Sequence, residues 1–394
     1  MTEKLFYKDA YLTSFTAVVQ QCIPVKKGKK QYYRIVLDRS AFFPEGGGQY
    51  ADGGTLGGKK VLDVQEEGGI FHLMEEPLEP GQEVEGLLDW TERFIKMQQH
   101  TGEHIVSGIV NKRFGYNNVG FHLGSKDSTM DFDGEITQEQ LKQIEEEANR
   151  AAVADLEVQV SYPTHEELQH LTYRSKIEIE GQLRLVTIPG YDVCACCAPH
   201  LRRTGEIGMI RLTNVQHYKG GVRVTLLCGF RALADYRERE EQSRAVSALL
   251  CAPESELDQA VQHLQQEKNE LKQQLTELKQ QMLSARLEPY LDWEKKQENA
   301  PERAWLFEEK LKPDELKYMM NRMLEKGVGV CVVISEDAEG GFRYIAGSRK
   351  TDVRPLAKYF NQSYDGRGGG KPEMVQGACK NYPGKETIQK ETVF

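Results

Sequence analysis

The spacing of apolar positions changes along the chain, and the changes mark out its parts. Up to residue 88 the apolar residues come in short β-branched and aromatic runs: Phe15-Thr16-Ala17-Val18-Val19, Tyr32-Tyr33-Arg34-Ile35-Val36-Leu37 and Val61-Leu62-Asp63-Val64. Runs of this length and content read as strands. Their regular spacing predicts a small β-barrel over residues 1–88. The period then lengthens. Met97, Thr101 and Ile105 recur at helical spacing. Asp89 stands where an N-cap belongs, with Glu92 three residues on, and Gly115 follows Phe114 as a C-cap. Gly102 inside that helix costs about 1 kcal/mol relative to Ala, so either a neighbour packs closely there or the loss is tolerated.

Between 117 and 230 the two periods alternate. Ser128–Phe132 reads as strand, Thr137–Ala152 as an acidic amphipathic helix, and Leu156–Val160, Leu183–Ile188, Met209–Leu212 and Val222–Leu227 as strands. Strands with helices on one side predict an α+β domain over 89–230. From Arg231 the composition turns to Glu, Gln, Lys and Leu. Leu257, Val261, Leu264, Lys268, Leu271, Leu275, Leu278, Met282 and Ala285 then alternate spacings of four and three. This predicts coiled-coil helices over 231–300, roughly four heptads long, with Lys268 at a core position where it fixes register or partner. Pro289 and Pro301 end the run. Residues 301–394 read as a C-terminal α/β globular domain: helix Pro313–Lys326, strands Val328–Ile334 and Phe342–Ala346, helix Val353–Phe360, and a glycine-rich loop from Asp365 to Met374. The chain is thus expected to be α+β and multidomain.

Composition narrows the class without naming the chemistry. With 394 residues, 39% hydrophobic and 28% charged, the chain suits a soluble globular protein of two or three domains. No apolar run approaches a membrane span, and Met1-Thr2-Glu3-Lys4 opens no signal peptide. A cytoplasmic protein without a membrane partner is expected. A formal net charge of −9 argues against a uniformly basic surface. Local excesses remain: Arg202, Arg203, Arg211, Lys219 and Arg223 stand against Glu206 alone, and residues 347–394 carry nine Lys/Arg against five Asp/Glu. Such patches suit phosphate contacts.

The candidate chemistry lies in two clusters. His100 and His104 are four apart, hence one turn apart on the same helix face, where both can reach one metal ion. Cys196 and His200 come later in Val193-Cys194-Ala195-Cys196-Cys197-Ala198-Pro199-His200. One Cys and three His make a tetrahedral Zn²⁺ set. Eight cysteines, three of them within 194–197, fit reduced metal-binding thiols better than a disulfide scaffold. Gly46-Gly47-Gly48 in Phe43–Gln49 lets backbone amides approach a ligand, and glycines with Arg367 and Lys371 can wrap an anion. His100-Thr101-Gly102-Glu103-His104 also fits H-x-x-E-H, a zinc-protease signature with Glu103 as general base. That reading explains neither the coiled coil nor the second ligand pair. A zinc-stapled RNA-binding module without catalysis is the non-enzymatic alternative.

His100-x-x-x-His104, Cys196-x-x-x-His200, Phe43–Gln49 and Thr204-Gly205-Glu206-Ile207-Gly208 together resemble the editing domain of alanyl-tRNA synthetase. Gly366–Met374 resembles that synthetase's C-terminal domain. With no aminoacylation domain ahead of residue 1, the chain looks like a free-standing alanyl-tRNA editing protein of the long form. The resemblance implies a zinc-dependent deacylase of tRNA(Ala) mischarged with Ser, or with Gly. It also implies a coiled coil and C-terminal domain serving tRNA binding or a homodimer. Gln49 and His122 become candidate substrate contacts. Gly47, Gly48, Arg202, Arg203, Arg367 and Lys371 become candidate tRNA contacts. Two departures stand out. The synthetases usually carry two glycines and a Thr between the Cys and the His, whereas here Cys197, Ala198 and Pro199 intervene, bringing Cys194 and Cys197 near enough to compete as ligands. His122 stands where the synthetases have a Gln.

Overall fold

The computed structural model describes residues 2–28, 30–175, 183–296, 298–336 and 340–391. The chain divides into two compact units, Met1–Val246 and Ser247–Phe394.

The first unit opens with the barrel that the alternating runs predict. Strands β1 (Ser14–Lys27), β2 (Lys30–Leu37), β3 (Gly54–Leu56), β4 (Lys59–Glu66), β5 (Ile70–Met74) and β6 (Glu83–Leu88) close in the order β1-β2-β5-β4-β3-β6. Val19, Ile35, Leu37, Phe42, Leu56, Val64 and Met74 fill its interior, each fully buried apolar side chain contributing about 1.5–3 kcal/mol. Strands β3, β5 and β6 are short or sit beside turn residues, so their periodicity was too brief to read from sequence.

Helix α1 (Trp90–Phe114) follows directly. The Asp89 carboxylate accepts the Glu92 amide at 3.1 Å, and Gly115 ends the helix at φ 73°. Residues 96–110 are all buried, polar ones included. Gly102 is explained by Cys228, whose Sγ lies where a Cβ would stand, and Gly108 by the carbonyl of Tyr191. The close neighbour was the correct alternative for Gly102.

Around α1 fold β7 (Asn118–Leu123), β8 (Ser128–Phe132), α2 (Gln138–Val153), β9 (Gln159–Ser161), β10 (Leu185–Ile188), β11 (Asp192–Ala195), β12 (Ile210–Tyr218) and β13 (Gly221–Cys228). They form a four-stranded antiparallel sheet β12-β13-β8-β7 and a three-stranded sheet β9-β10-β11. Thr137 caps α2 in a capping box with Gln140. The sequence expectation for a strand over 156–160 is displaced to Gln159–Ser161, and that for 183–188 narrows to Leu185–Ile188. Helix α3 (Phe230–Leu250) leaves this body.

The second unit holds the last turn of α3 and then α4 (Leu257–Leu287), a single long helix. It continues through β14 (Arg303–Glu309), α5 (Pro313–Glu325), β15 (Val330–Glu336), β16 (Phe342–Ser348), α6 (Arg354–Ser363), β17 (Gly366–Lys371) and β18 (Met374–Cys379). The sheet order is β14-β15-β16-β18-β17, with α5 packed in the core of one face and α6 in that of the other. One expectation is overturned here. The glycine-rich segment from Asp365 is no anion-wrapping loop: Gly366–Lys371 is an edge strand paired residue by residue with Met374–Cys379. Its glycines admit a neighbour, because Tyr344 Oη fills the space that side chains on Gly368 and Gly377 would need. Among the described residues no helix is long and apolar enough to cross a membrane.

Candidate metal centre

Helix α1 offers His100 and His104 from one face, and the turn after β11 brings Cys196 and His200 up to them. Their four donor atoms all lie within 4.8 Å of one another. Cys196 Sγ is 3.4 Å from His100 Nε2. The His200 ring packs edge-on to both others, with centroids 5.0 Å from His100 and 4.7 Å from His104. Donor–donor separations in a Zn²⁺ tetrahedron are roughly 3.3–3.8 Å, so the cluster needs only a small contraction to close on an ion.

Local structure holds the turn in place. Cys196 N donates to Arg184 O at 3.1 Å, and Arg184 Nη1 donates back to the carbonyls of Cys196 and Ala198 at 2.7 and 3.0 Å. Leu201 N donates to Thr101 Oγ1 at 3.1 Å, so the helix stripe read from sequence also grips the ligand loop. Gln99 exchanges two 2.8 Å hydrogen bonds with the backbone of Cys228. Gln98 donates to the carbonyl of Glu206 at 3.0 Å, which gives Thr204–Gly208 a structural task.

Outer partners orient two of the rings. His104 Nδ1 lies 2.9 Å from Asp192 Oδ2, and Arg174 grips the same carboxylate with Nε and Nη2 at 2.7 and 2.8 Å. His100 Nδ1 lies 3.1 Å from Gln49 Oε1. An imidazole N–H held from behind leaves the opposite nitrogen's lone pair for a metal, the arrangement found around metal-bound histidines. The third ring provides the test of fit. Neither His200 nitrogen has a hydrogen-bond partner, although both are buried, and Gln49 Nε2 is likewise without one. Buried polar atoms left unpaired are costly, and a cation among these donors would satisfy one of the two His200 nitrogens.

The electrostatics separate the three cysteines. Burial works against the Cys196 thiolate, but His100 beside it outweighs that and holds the thiol well below its ordinary range. Burial pushes Cys194 up to about 11, while Cys197 is exposed. Burial also keeps His200 neutral, down at about 3, as a ligand nitrogen must be. Burial works against protonated His104 too, yet Asp192 and then Cys196 outweigh it, so its affinity for a proton is raised. Cys194 falls in a second donor group with His104 and Asp192. That group is the weaker candidate, since Arg174 and His104 already engage the Asp192 carboxylate.

The glycine-rich stretch packs against the centre. A Cβ on Gly47 (φ 60°) would stand 3.4 Å from Cys197 Sγ and 4.0 Å from His100 Cε1, and one on Gly48 (φ 80°) would overlap the Phe121 carbonyl. The loop is fastened by Asp52, whose carboxylate accepts Phe43 N at 2.7 Å, Arg93 Nε at 2.8 Å and Lys96 Nζ at 3.4 Å. All three charged groups are 1% exposed. Arg93 also donates to Ala41 O and Lys96 to Ala51 O, at 2.6 and 2.7 Å. The loop carrying Gln49 is therefore riveted to the same helix as the histidines.

Other residues singled out in the sequence lie elsewhere. His122 is exposed on β7, while its neighbour Phe121 stands 4.9 Å from the His100 ring. Glu103 accepts from Ser107 Oγ at 2.8 Å and Asn118 Nδ2 at 2.6 Å. Arg202 pairs with Asp9 at 3.0 Å, Arg203 with Asp155 at 2.7 Å, Arg211 with Glu145 at 3.5 Å and Arg223 with Asp131 at 2.6 Å. Most of the local basic excess is thus matched by carboxylates distant in sequence. Arg367 and Lys371 are exposed on β17. Asp192, Arg174, Phe121 and the Asp52–Arg93–Lys96 group escaped the sequence reading. Arg93 and Lys96 left a signal: charges one and two turns ahead of His100 on an otherwise inward-facing surface.

Known proteins resemble this chain over long stretches. Residues 183–225 match the family model of the threonyl and alanyl tRNA synthetase second additional domain, and residues 303–392 match the DHHA1 domain. The chain is 31% identical over 279 residues to the alanyl-tRNA editing protein Aarsd1 of Mus musculus, across 66% of this chain and 67% of that one. It is 32% identical to the alanyl-tRNA editing protein AlaX-L of Pyrococcus horikoshii, across 60% and 61%. It is 30% identical to the alanine–tRNA ligase of Pyrococcus abyssi, across 98% of this chain but 43% of the ligase. The chain thus spans between two fifths and two thirds of the lengths of these relatives.

Proposed function

Because the chain belongs to the family of alanyl-tRNA editing proteins, we propose that it deacylates tRNA(Ala) mischarged with serine, and more weakly with glycine, while sparing alanyl-tRNA(Ala). The observation that carries this reading is the closed set His100, His104, Cys196 and His200, backed by Asp192 and Gln49, beneath the glycine-rich loop.

These four residues would hold Zn²⁺. When bound, the ion supplies Lewis acidity and, given an open coordination position, an activated water. The remaining work falls to the chain. Water adds to the aminoacyl ester, the ribose oxygen leaves with one of its protons, and the amino acid departs as its carboxylate, the other proton passing to solvent. Asp192 and Gln49 fix the ring orientations. Phe121 lines the approach to His100 with an apolar edge, and Gln49 Nε2 is the unpaired donor available to a serine hydroxyl. A small apolar site distinguishes serine from alanine by only about 10², whereas a site built to bond the hydroxyl reaches about 10⁴–10⁵, because alanine would leave buried polar groups unpaired. His122, from its exposed position, would serve substrate only at the rim.

RNA contacts are assigned to Arg367 and Lys371 and to the rim at Gly47 and Gly48. Arg202 and Arg203 would have to release Asp9 and Asp155 to join them. Self-association is assigned to α4 or the C-terminal domain.

The test is a deacylation time course with seryl-, glycyl- and alanyl-tRNA(Ala) on the metal-loaded full chain. Seryl-tRNA should be hydrolysed fastest and alanyl-tRNA least. Equal rates on seryl- and alanyl-tRNA, or none on either with metal bound, would end the reading. Asp192→Asn should weaken metal affinity about 10- to 100-fold, read by chelator competition.

A further inference from the structure

The metal centre has an outer rim to which the chemistry above gives no task. Cys197, next to the ligand Cys196, is exposed, and so is Gly47. The two are in contact, since a Cβ on Gly47 would stand 3.4 Å from Cys197 Sγ. Beside them is Tyr7, on the short turn of helix Leu5–Lys8. Its position is fixed from two sides. Its neighbour Phe6 is 2% exposed and meets Phe43, the first residue of the glycine-rich stretch, edge-on with ring centroids 5.4 Å apart. The Arg184 guanidinium, which holds the carbonyls of Cys196 and Ala198, lies 5.6 Å from the Tyr7 ring. Tyr7 packs against the barrel core but is only half-buried, so part of the ring stays open. Burial raises its phenol above the ordinary range, and Cys197 adds to this, which agrees with a place beside the ligand turn.

We propose that Tyr7 is the platform on which the terminal base of an aminoacyl-tRNA stacks, with the ribose crossing Cys197 and Gly47 between base and metal. The inference rests on the hydrolytic reading above and adds to it the nucleoside half of the substrate. The alcohol of the ester is the ribose of the last nucleotide, so the base must come within one sugar's breadth of the reacting carbonyl. Gln49 is 1% exposed and takes the amino acid's hydroxyl on the inside. The ribose therefore lies outward, across exposed Cys197 and Gly47, and Tyr7 borders that same turn. Phe121 is the rival platform. It stands 4.9 Å from the His100 ring itself, which leaves no room for a sugar between base and metal.

Charge favours a base over a phosphate at this rim. Lys4 Nζ lies 5.5 Å from the Tyr7 ring but only 2.7 Å from Glu66. Arg184 is 9% exposed and donates to backbone carbonyls. Neither cation is placed to neutralise a phosphodiester, on which backbone binding depends. An aromatic ring suits a base because every base has a π-face, and stacking needs no base-specific hydrogen bond.

The experiment compares two small esters, seryl-adenosine and the seryl ester of a base-free ribose, on the metal-loaded full chain. Wild type, Tyr7→Leu and Tyr7→Phe are assayed, with bound zinc and circular dichroism measured in each. Wild type should prefer the base-bearing ester about tenfold in kcat/KM, the size of one stacking contact, and through KM rather than kcat. Tyr7→Phe should keep that preference. Tyr7→Leu should abolish it while leaving zinc and the rate on the base-free ester unchanged. A preference undiminished in Tyr7→Leu would overturn the proposal, and so would equal slowing of both esters, the mark of a structural role. A second measurement needs no variant: free adenosine should inhibit wild type about tenfold more strongly than free ribose, and equal inhibition would overturn the proposal. In each of these cases seryl ester hydrolysis, and with it the hydrolytic reading, still stands. No hydrolysis of either ester or of seryl-tRNA(Ala) with metal bound would end both.

Discussion

Helices α1 and α4 are both long and both rich in polar residues, yet they obey opposite rules. In α1 residues 96–110 are all buried, and among them Lys96, Gln98, Gln99, His100, Glu103 and His104 are at most 4% exposed. In α4 the apolar positions from Leu264 to Met282 face outward. A helix buried on every side must find a partner for each polar group, so its polar residues are chosen one by one. A helix open to solvent over most of its length needs no such partners, and its leucines from 264 to 278 lie exposed. Buried polarity surrounds the candidate metal donors here, and exposed apolarity runs along a helix that its own unit does not cover.

That contrast can be broken by mutation. The largest effect is expected at Asp52. Asp52→Asn leaves Arg93 and Lys96 buried without their countercharge, and breaking a buried pair from one side costs about 3–5 kcal/mol. Denaturant unfolding should show it, and a loss under about 1 kcal/mol would mean that the group is not the rivet between loop and helix.

The barrel offers a second buried polar group, away from the site. His72 is fully buried, with Nε2 2.8 Å from Ser40 Oγ, and burial holds it down at about 4 rather than 6.5. Between those values the unfolded chain takes up a proton that the folded barrel refuses. The stability held by neutral His72 is therefore complete above pH 6.5 and is lost as pH falls toward 4, by about 3 kcal/mol. His72→Gln should remove that part of the acid slope, and an unchanged slope would contradict the assignment.

Gly102→Ala is expected to cost about 1–3 kcal/mol through overpacking against Cys228, against a gain of about 1 kcal/mol in helix propensity. A stabilised variant would show that the helix can move aside. The smallest effect belongs to α4: Leu275→Lys should change the unfolding free energy of the isolated chain by no more than about 0.5 kcal/mol. A cost like that of a core leucine would mean the stripe is covered after all.

Sequence made α1 and α4 legible for the same reason, since each holds one period for many turns. It made the donor set legible because His100 and His104 share a helix face and Cys196 and His200 share a turn. What it could not convey is long-range pairing. Asp192 behind His104, the Gln49 amide behind His100 and the carboxylates that engage Arg202 and Arg203 all depend on contacts between distant segments. The glycine run at 366–370 was misread because glycines in a turn and glycines making room for Tyr344 in a strand look alike in one dimension.

Under the proposed function, the buried polar face of α1 and the turn at 196–200 form one metal-dependent hydrolytic centre. The most direct measurement is bound zinc and seryl-tRNA(Ala) deacylation in the same samples of wild type, His104→Ala and Cys194→Ala, with folding checked by circular dichroism. His104→Ala is expected to lose both the metal and the activity, while Cys194→Ala keeps both. A folded His104→Ala protein with a full complement of zinc and an unchanged rate would contradict it.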